Sequence, residues 1–241
     1  MAINRTKGTA NADSSVIVLP VRQGTYGESY VIQLGTGRHT AADEGSYFTG
    51  KNATLGTALT LHAAPAIADT DTKSIVHIWN PVTSGVSVYL DFIWMKQTVV
   101  NASSTASDYL VYIDNGQVTG RASGGTAITP SCTRSGKVAN TSAVTMYAGA
   151  VVTSATTGTK VAQRTVRPVI SVTEDQYVFY FGDRAALPPS QALTGTSVVS
   201  AVVSWPPIVI DPGGNFKFVQ TGPSGASTAA TAEFEIGWWE R

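Results

Sequence analysis

SIVHIWNPVTSGVSVYLDFIWM, residues Ser74–Met95, is the stretch that decides the fold. From Val86 onward, large apolar side chains occupy every second position, and a period of two predicts a β-strand. Ile75–Trp79 has the same character, and the turn residues between the two runs predict a β-hairpin. The expected buried face of the second strand consists of Val86, Val88, Leu90, Phe92 and Trp94. The opposite face carries Ser87, Tyr89, Asp91 and Ile93. Because the first face is entirely apolar, we expect a second sheet to cover it.

The composition describes a chain that is long enough for a sizeable core and close to electrical neutrality. It has 241 residues, with 16 Lys and Arg against 16 Asp and Glu, and only 13% of its residues are charged. A neutral chain has no basic field to hold a phosphate backbone, so we expect no nucleic-acid partner. Gly, Ala, Ser and Thr fill much of the remainder, which favours a neutral surface that packs against other proteins.

The single cysteine, Cys132, excludes an intramolecular disulfide. A secreted eukaryotic β-domain commonly uses several disulfides, so this count predicts synthesis in a reducing cytosol. We interpret Cys132 as a small filler in a Ser/Thr-rich loop and not as a nucleophile. The N-terminal residues lack the apolar segment of a signal peptide, and no apolar run is long enough to span a bilayer, so we expect no membrane partner.

Further strand patterns follow at regular intervals, and no window shows convincing helical periodicity over ten residues. The predicted strands are Ser15–Val21 at an edge, Leu55–His62, Asp108–Asp114, Ser142–Val152, Val161–Val172, Tyr177–Phe181, Ser197–Trp205, Pro207–Ile210, Asn215–Gln220 and Ala232–Trp239. Pro168 predicts an edge or bulge. In the last strand we assign Phe234, Ile236 and Trp238 to the core. These patterns predict an all-β, antiparallel β-sandwich of jelly-roll type, because tight and long connections alternate.

The connections carry their own signals. Asn115-Gly116 predicts a type I′ hairpin turn, and Asp211–Gly214 predicts a type II turn with Pro212 at its second position. Thr119–Asn140 is rich in Gly, Ser and Thr, and we expect an exposed loop there.

The chain is predicted to divide into an extended, partly irregular N-terminal arm, residues 1–54, and a jelly-roll body, residues 55–241. The arm is rich in glycine, so its aromatic residues have no core of their own, and we expect them to insert into the body or into a neighbouring subunit. A second contact is expected at the C-terminus. The candidate interface residues are Tyr26, Tyr30, Tyr47, Phe48, Trp239, Glu240 and Arg241.

Patterns that resemble ligand-binding or catalytic motifs are incomplete. Gly35–Thr40 lacks the third glycine and the Lys-Ser/Thr of a phosphate loop, and Ser135-Gly136-Lys137 lacks the upstream glycine of a Walker loop. Asp69-Thr70-Asp71 opens like a calcium loop, but Asn80 stands where a bidentate glutamate is needed. We expect no enzyme activity, cofactor or metal.

Isolated titratable residues favour structural roles. The histidines, His39, His62 and His77, are too widely spaced for a metal site, and we interpret His77 as a half-buried sheet residue. A glycosidase needs two carboxyl groups facing each other across a cleft. We interpret the acidic pairs as solvated or interface charge: Asp43 with Glu44, Glu174 with Asp175, and Glu233 with Glu235.

Several segments together resemble a family of virion structural proteins from tailed bacteriophages. They are DEGSYFTGKNATLGT (43–57), WNPVTSGVSVYLDFI (79–93), DYLVYIDNG (108–116), PPIVIDPGGNF (206–216) and FEIGWWER (234–241). The resemblance covers most of the chain from about residue 43 to Arg241 and does not extend to the N-terminal stretch. It implies a virion component without enzyme activity and contributes no catalytic residues.

We therefore expect a protein of the virion, made in the bacterial host cytoplasm, that acts as a capsid decoration or cement protein. Its expected partners are further copies of itself, with a trimer favoured, and other virion proteins such as the major capsid protein. A tail-fibre or appendage module that binds a host receptor or glycan is an alternative, with Trp79 or Trp239 stacking on sugar rings. A neck or tail component is a further alternative.

Overall fold

The computed structural model describes residues 22–23, 29–30, 42, 44–52, 59–60, 73–99, 107–114, 120–135, 140–154, 158–167, 173–182, 200–221 and 231–241. Almost all regular structure in these ranges consists of β-strands. They form two large sheets packed together, and a separate pair of β1 (Arg22–Gln23) with β2 (Ser29–Tyr30). The prediction of an all-β sandwich is confirmed.

The first large sheet, sheet I, contains eight strands. They are β3 (Tyr47–Lys51), β4 (Leu59–Thr60), β6 (Val88–Val99), β10 (Ser131–Cys132), β13 (Gln176–Phe181), β14 (Ser200–Trp205), β15 (Val209–Ile210) and β17 (Thr231–Glu240). The order across the sheet is β10-β3-β17-β6-β13-β14, with β15 paired to β6 and β4 to β17. The long strands β6 and β17 therefore lie side by side at its centre.

The second large sheet, sheet II, contains seven strands. They are β5 (Lys73–Trp79), β7 (Ser107–Asp114), β8 (Arg121–Ser123), β9 (Thr126–Ile128), β11 (Thr145–Ser154), β12 (Thr159–Arg167) and β16 (Asn215–Thr221). The order is β12-β7-β16-β5-β11-β8, with β9 paired to β11, and every pairing is antiparallel.

Aromatic side chains fill much of the space between the sheets. Tyr109 of sheet II lies 5.1 Å from Phe179 of sheet I, and Phe218 of sheet II lies 5.3 Å from Phe179, measured between ring centroids. Trp205 stacks on Phe179 at 4.6 Å. Such pairs contribute about 0.5–1.5 kcal/mol each beyond the apolar area they bury. The residues that the sequence assigned to the core in the last strand, Phe234, Ile236 and Trp238, are all buried.

The predicted hairpin between Ile75–Trp79 and the following strand is wrong. β5 belongs to sheet II and β6 to sheet I, so residues 80–87 cross from one sheet to the other. The turn itself forms, with the Ser84 N–H donating to the Pro81 carbonyl at 3.0 Å. The Asn80 amide donates to the carbonyls of Val86 and Ile210, at 2.7 and 2.9 Å, and so fixes the crossing. A turn signal specifies a reversal of the chain but not the sheet that receives the next strand.

The alternation predicted for β6 holds only for its first part. Val88 and Leu90 are buried, but Val86 lies before the strand and is half-buried, and Phe92 and Trp94 are half-buried on the opposite face. Ile93, Met95 and Gln97 are buried instead. The register explains the change, because Leu90 pairs with Trp238 and Phe92 with Gly237, which leaves Asp91 as an extra residue in a β-bulge.

The predicted boundary between arm and body also needs correction. β3 lies between β10 and β17 in sheet I, with five residue pairs to β17, and its Phe48 is part of the core. The body therefore includes residues well before residue 55. The shorter strands β1 and β2, within the predicted arm, pair with each other.

Other connections differ from the predictions in part. β13 and β14 pair in parallel, so sheet I is mixed where a wholly antiparallel sandwich was expected, and the jelly-roll connectivity stays a prediction. The described part of Thr119–Asn140 contains β8, β9 and β10, although most of its side chains are exposed. Gly213 has φ +89° and Gly214 N–H donates to Asp211, as the type II turn requires. Ser15–Val21, Asn115-Gly116 and Pro168 lie outside the described residues.

Candidate functional site

Two of the predicted interface residues have structural roles inside the protein. Phe48 is 2% exposed and stacks on Trp238, with ring centroids 6.3 Å apart, so it has no surface to offer a neighbouring subunit. Glu240 is buried and accepts hydrogen bonds from Ser142 Oγ, the Ala143 N–H at 2.9 Å and Trp238 Nε1 at 3.1 Å. For these two residues the predicted subunit contact is replaced by contacts within the chain.

Tyr47 and Trp239 come together on the outer face of sheet I, where Tyr47 is buried and Trp239 is half-buried. Tyr47 pairs with Trp239, Trp239 with Tyr89, and Tyr89 with Val209, so four neighbouring strands place these side chains in one row. The rings of Trp239 and Tyr89 are nearly parallel at 5.8 Å, and those of Tyr47 and Trp239 lie 6.4 Å apart. We call Tyr47, Trp239, Tyr89 and Val209 the outer row.

The outer row is held in place from both sides. Tyr47 Oη donates to the buried Asp91 carboxylate at 2.7 Å, which ties the row to the bulge of β6. A Cβ on Gly237 would lie 2.5 Å from the Phe92 ring and 2.6 Å from Tyr47 Oη, so only glycine leaves room for both aromatics. At the free end of the row, Val209 is 42% exposed.

The far end of the same face is charged. Lys96 and Glu174 form an ion pair at 2.6 Å, and the hydrogen bond to Glu174 raises the pKa of Lys96. Glu235 pairs in register with Lys51 and Trp94. The outer face of sheet I therefore changes along its strands from an aromatic end to a charged end.

The remaining predicted interface residues are placed as follows. Arg241 is exposed, and its backbone exchanges two hydrogen bonds with Ser87, which fixes the end of β17 beside the outer row. Tyr30 belongs to β2, and Tyr26 lies outside the described residues. Sequence reasoning missed Tyr89 and Val209. Alternation had already assigned Tyr89 to the face away from the core, but only the register of β6 with β15 and β17 reveals the row.

The two tryptophans considered for stacking on sugars are both packed against protein groups. Trp239 lies between Tyr47 and Tyr89, because β3 and β6 flank β17. Trp79 packs against Gly120 so closely that a Cβ there would overlap the tryptophan. Both tryptophans are half-buried, and stacking on sugar rings stays a prediction.

Titratable residues considered for chemistry also have structural partners. Glu174 pairs with Lys96, and Asp175 accepts from Tyr177 Oη at 3.1 Å. Cys132 is partly buried in β10, and its thiol approaches the Gly45 carbonyl at 3.5 Å. Among the described residues, no group of three His, Cys, Asp or Glu side chains is placed to hold a metal ion. Gly35–Thr40 and Asp69–Asp71 lie outside these residues.

A second unusual arrangement lies on the outer face of sheet II. β16 is flanked there by β7 and β5, and two outward-facing residues on each of these three strands form a compact polar grid. The members of the polar grid are Tyr112 and Asp114 on β7, Lys217 and Asn215 on β16, and His77 and Trp79 on β5. Because Lys217 alternates with Phe216 and Phe218, the sequence pattern predicts that it lies on the face away from the core. The pattern does not predict that the lysine is buried there.

Four of the six members of the polar grid are buried although they face away from the space between the sheets, and Trp79 and Asp114 are half-buried. Lys217 and His77 are both 0% exposed, and Lys217 Nζ lies 3.9 Å from Asp114 Oδ2. Burial lowers the pKa of His77 to about 4, and the positive charges of Lys217 and Arg121 act in the same direction. His77 is thus neutral at pH 7 and fully buried, where the sequence predicted a half-buried residue.

No helix in the described part of the chain combines the length and apolar character needed to cross a membrane. Fold and surface together define an all-β sandwich with one aromatic outer row and one buried polar grid. Comparison with known proteins found no matching family profile, no matching curated protein and no matching solved structure.

Proposed function

We propose that this chain is a non-enzymatic structural protein of a tailed-bacteriophage virion, and that it decorates and cements the capsid through contacts between subunits. Five segments of the chain resemble virion proteins. Three of them supply β3, β6 and β17, which are neighbours in sheet I. The residues that carry the resemblance thus converge on the outer row.

The observation that carries the proposal is the outer row itself. It is a continuous line of three aromatic rings and a valine across four strands, and its valine is open to solvent. Aromatic side chains with restricted motion supply contact area at low entropic cost and are enriched in protein interfaces. Further copies of the chain and the major capsid protein are the partners for this surface.

The first test is to locate the chain in the intact particle by cryo-electron microscopy, after mass spectrometry of purified virions has established its presence. Density over the capsid lattice, with the outer row against a neighbouring subunit, is the expected result. Density confined to the tail or its fibres would overturn capsid decoration and favour the appendage or neck alternatives. A chain missing from purified virions would overturn the virion role altogether.

A pair of valine substitutions tests the surface. Val209→Lys places a charge at the exposed end of the outer row, and we expect binding to undecorated particles to fall at least about tenfold, which is 1.4 kcal/mol. Val99→Lys is the matched control, because Val99 is 51% exposed on β6, roughly 30 Å away along the strand. Equal binding of both variants in a sedimentation assay would exclude the outer row as the contact.

A further inference from the structure

The polar grid brings an amine and a carboxyl group together away from water. Lys217 Nζ lies 3.9 Å from Asp114 Oδ2, with the lysine side chain 0% and the aspartate side chain 9% exposed. The two residues are diagonal neighbours on adjacent strands, since Asp114 pairs with Asn215 and Lys217 with Tyr112. A buried ion pair of this kind gains little stability over apolar residues, because desolvation of both charges offsets their attraction.

We propose that Lys217 and Asp114 form an intramolecular isopeptide bond between β16 and β7. Lys217 Nζ attacks Asp114 Cγ, the bond from Cγ to one carboxylate oxygen breaks, and a secondary amide forms. Of the three protons on the ammonium group, one stays on the amide nitrogen and two leave with the oxygen as water. Charge is conserved, and the reaction needs no oxidant, reductant or cofactor.

Neighbouring members of the grid supply the proton transfers. His77 is directly opposite Lys217 on β5, and its ring nitrogens make no hydrogen bond of normal geometry among the described residues, although the Gly120 backbone and the Asn215 side chain are close enough to raise its pKa. A neutral, buried imidazole beside the amine takes a proton from Nζ and returns it to the departing oxygen. Its lowered pKa keeps the ring unprotonated near neutral pH but also makes it a weak base, so the imidazole passes a proton on and does not hold it.

Asn215 is placed to stabilise the developing negative charge. Asn215 is directly opposite Asp114, and its side-chain amide makes no hydrogen bond of normal geometry among the described residues, although it lies close enough to His77 to raise the pKa of that ring. Unpaired buried donors are costly in a folded protein, and a transient oxyanion on Asp114 gives them an acceptor.

The fold provides the driving force for a condensation that is unfavourable between free molecules in water. Groups held in a productive geometry reach effective molarities on the order of 10⁵–10⁸ M. Exclusion of water slows the reverse hydrolysis, and the amide replaces two buried charges by one neutral group. The chain has one cysteine and so no internal disulfide, whereas a Lys–Asp amide would cross-link residues 114 and 217 under reducing conditions.

Mass spectrometry of the intact, denatured, full-length protein tests the bond. We expect the wild-type chain to be one water lighter than its sequence mass, and Lys217→Arg and Asp114→Ala to have their full sequence masses. Asp114→Asn should lose ammonia in place of water and reach the same mass as the cross-linked wild type. A wild-type chain at full mass after prolonged incubation of the folded protein would overturn the proposal.

Two further readouts locate the bond and test the role of His77. Protease digestion should yield a branched peptide joining the segments around Asp114 and Lys217, and any other junction would overturn the assignment. His77→Gln should slow cross-linking at least about tenfold, followed as the mass shift over time at neutral pH. An unchanged rate would remove His77 from the reaction. These outcomes are independent of the proposed virion function.

Discussion

His77 shows how a single residue can make stability depend on pH. Its ring is buried beside Lys217 and Arg121, and burial followed by the charge of Lys217 lowers its pKa from 6.5 to about 4. The Gly120 backbone and the Asn215 side chain oppose this shift without reversing it. A group with a depressed basic pKa binds its proton more readily in the unfolded state. The contribution of His77 to stability is therefore fully present above pH 6.5 and is lost as the pH falls from 6.5 towards 4.

The loss of stability on acidification can be measured by urea unfolding at pH 7.5 and pH 5. Between these values, His77 alone should lower the free energy of unfolding by about 2 kcal/mol. Carboxylates also titrate on acidification, so the informative quantity is the difference between wild type and His77→Gln. The wild type should lose about 2 kcal/mol more than the variant. Equal losses in the two proteins would show that His77 is not buried as a neutral group.

β6 shows how much of a single strand the sequence pattern predicts and where that prediction fails. Alternation correctly predicted a long strand and the inward direction of Val88 and Leu90. It failed beyond Asp91, because a bulge changes the phase without leaving a signal in the apolar pattern. The hairpin prediction failed for a related reason. Asn80 contacts Ile210, 130 residues later, and such a distant partner cannot be deduced from a local turn motif.

Deletion of Asp91 tests the importance of the bulge. Without this residue, Phe92 follows Leu90 directly, so alternation along β6 becomes regular and the buried Ile93 and Met95 keep their inward positions. We expect cooperative unfolding to persist, at a lower midpoint because the hydrogen bond from Tyr47 Oη to Asp91 is lost. Deletion of the exposed Thr83, in the crossing between the sheets, is the matched control and should leave a folded protein. Near-ultraviolet circular dichroism with thermal melting measures both. Loss of the cooperative transition in the Asp91 deletion, with the Thr83 deletion still folded, would contradict the assignment of Asp91 as the extra residue.

At the scale of the whole molecule, sequence reasoning predicted the sandwich class from period-two patterns but placed the body boundary too late. β3 contributes little alternation of its own, because Gly50 interrupts it. Met146 and Trp238 occupy the space that a side chain at Gly50 would take, so the strand is completed by tertiary packing. The outer row depends on this same strand. Five residues that looked like part of an arm thus join the candidate surface to the core.

Two truncations separate the roles of arm and body. Removal of residues 1–41 keeps β3, and we expect wild-type urea unfolding with loss of particle binding, because the predicted inter-subunit arm is gone. Removal of residues 1–54 also deletes Phe48, whose replacement by alanine alone should cost about 3–5 kcal/mol, and exposes the edge of β17. This longer truncation should be unfolded or insoluble, so its failure to bind particles would carry no information about the arm. Normal decoration by the shorter truncation would exclude the arm from assembly and leave the outer row as the contact to test.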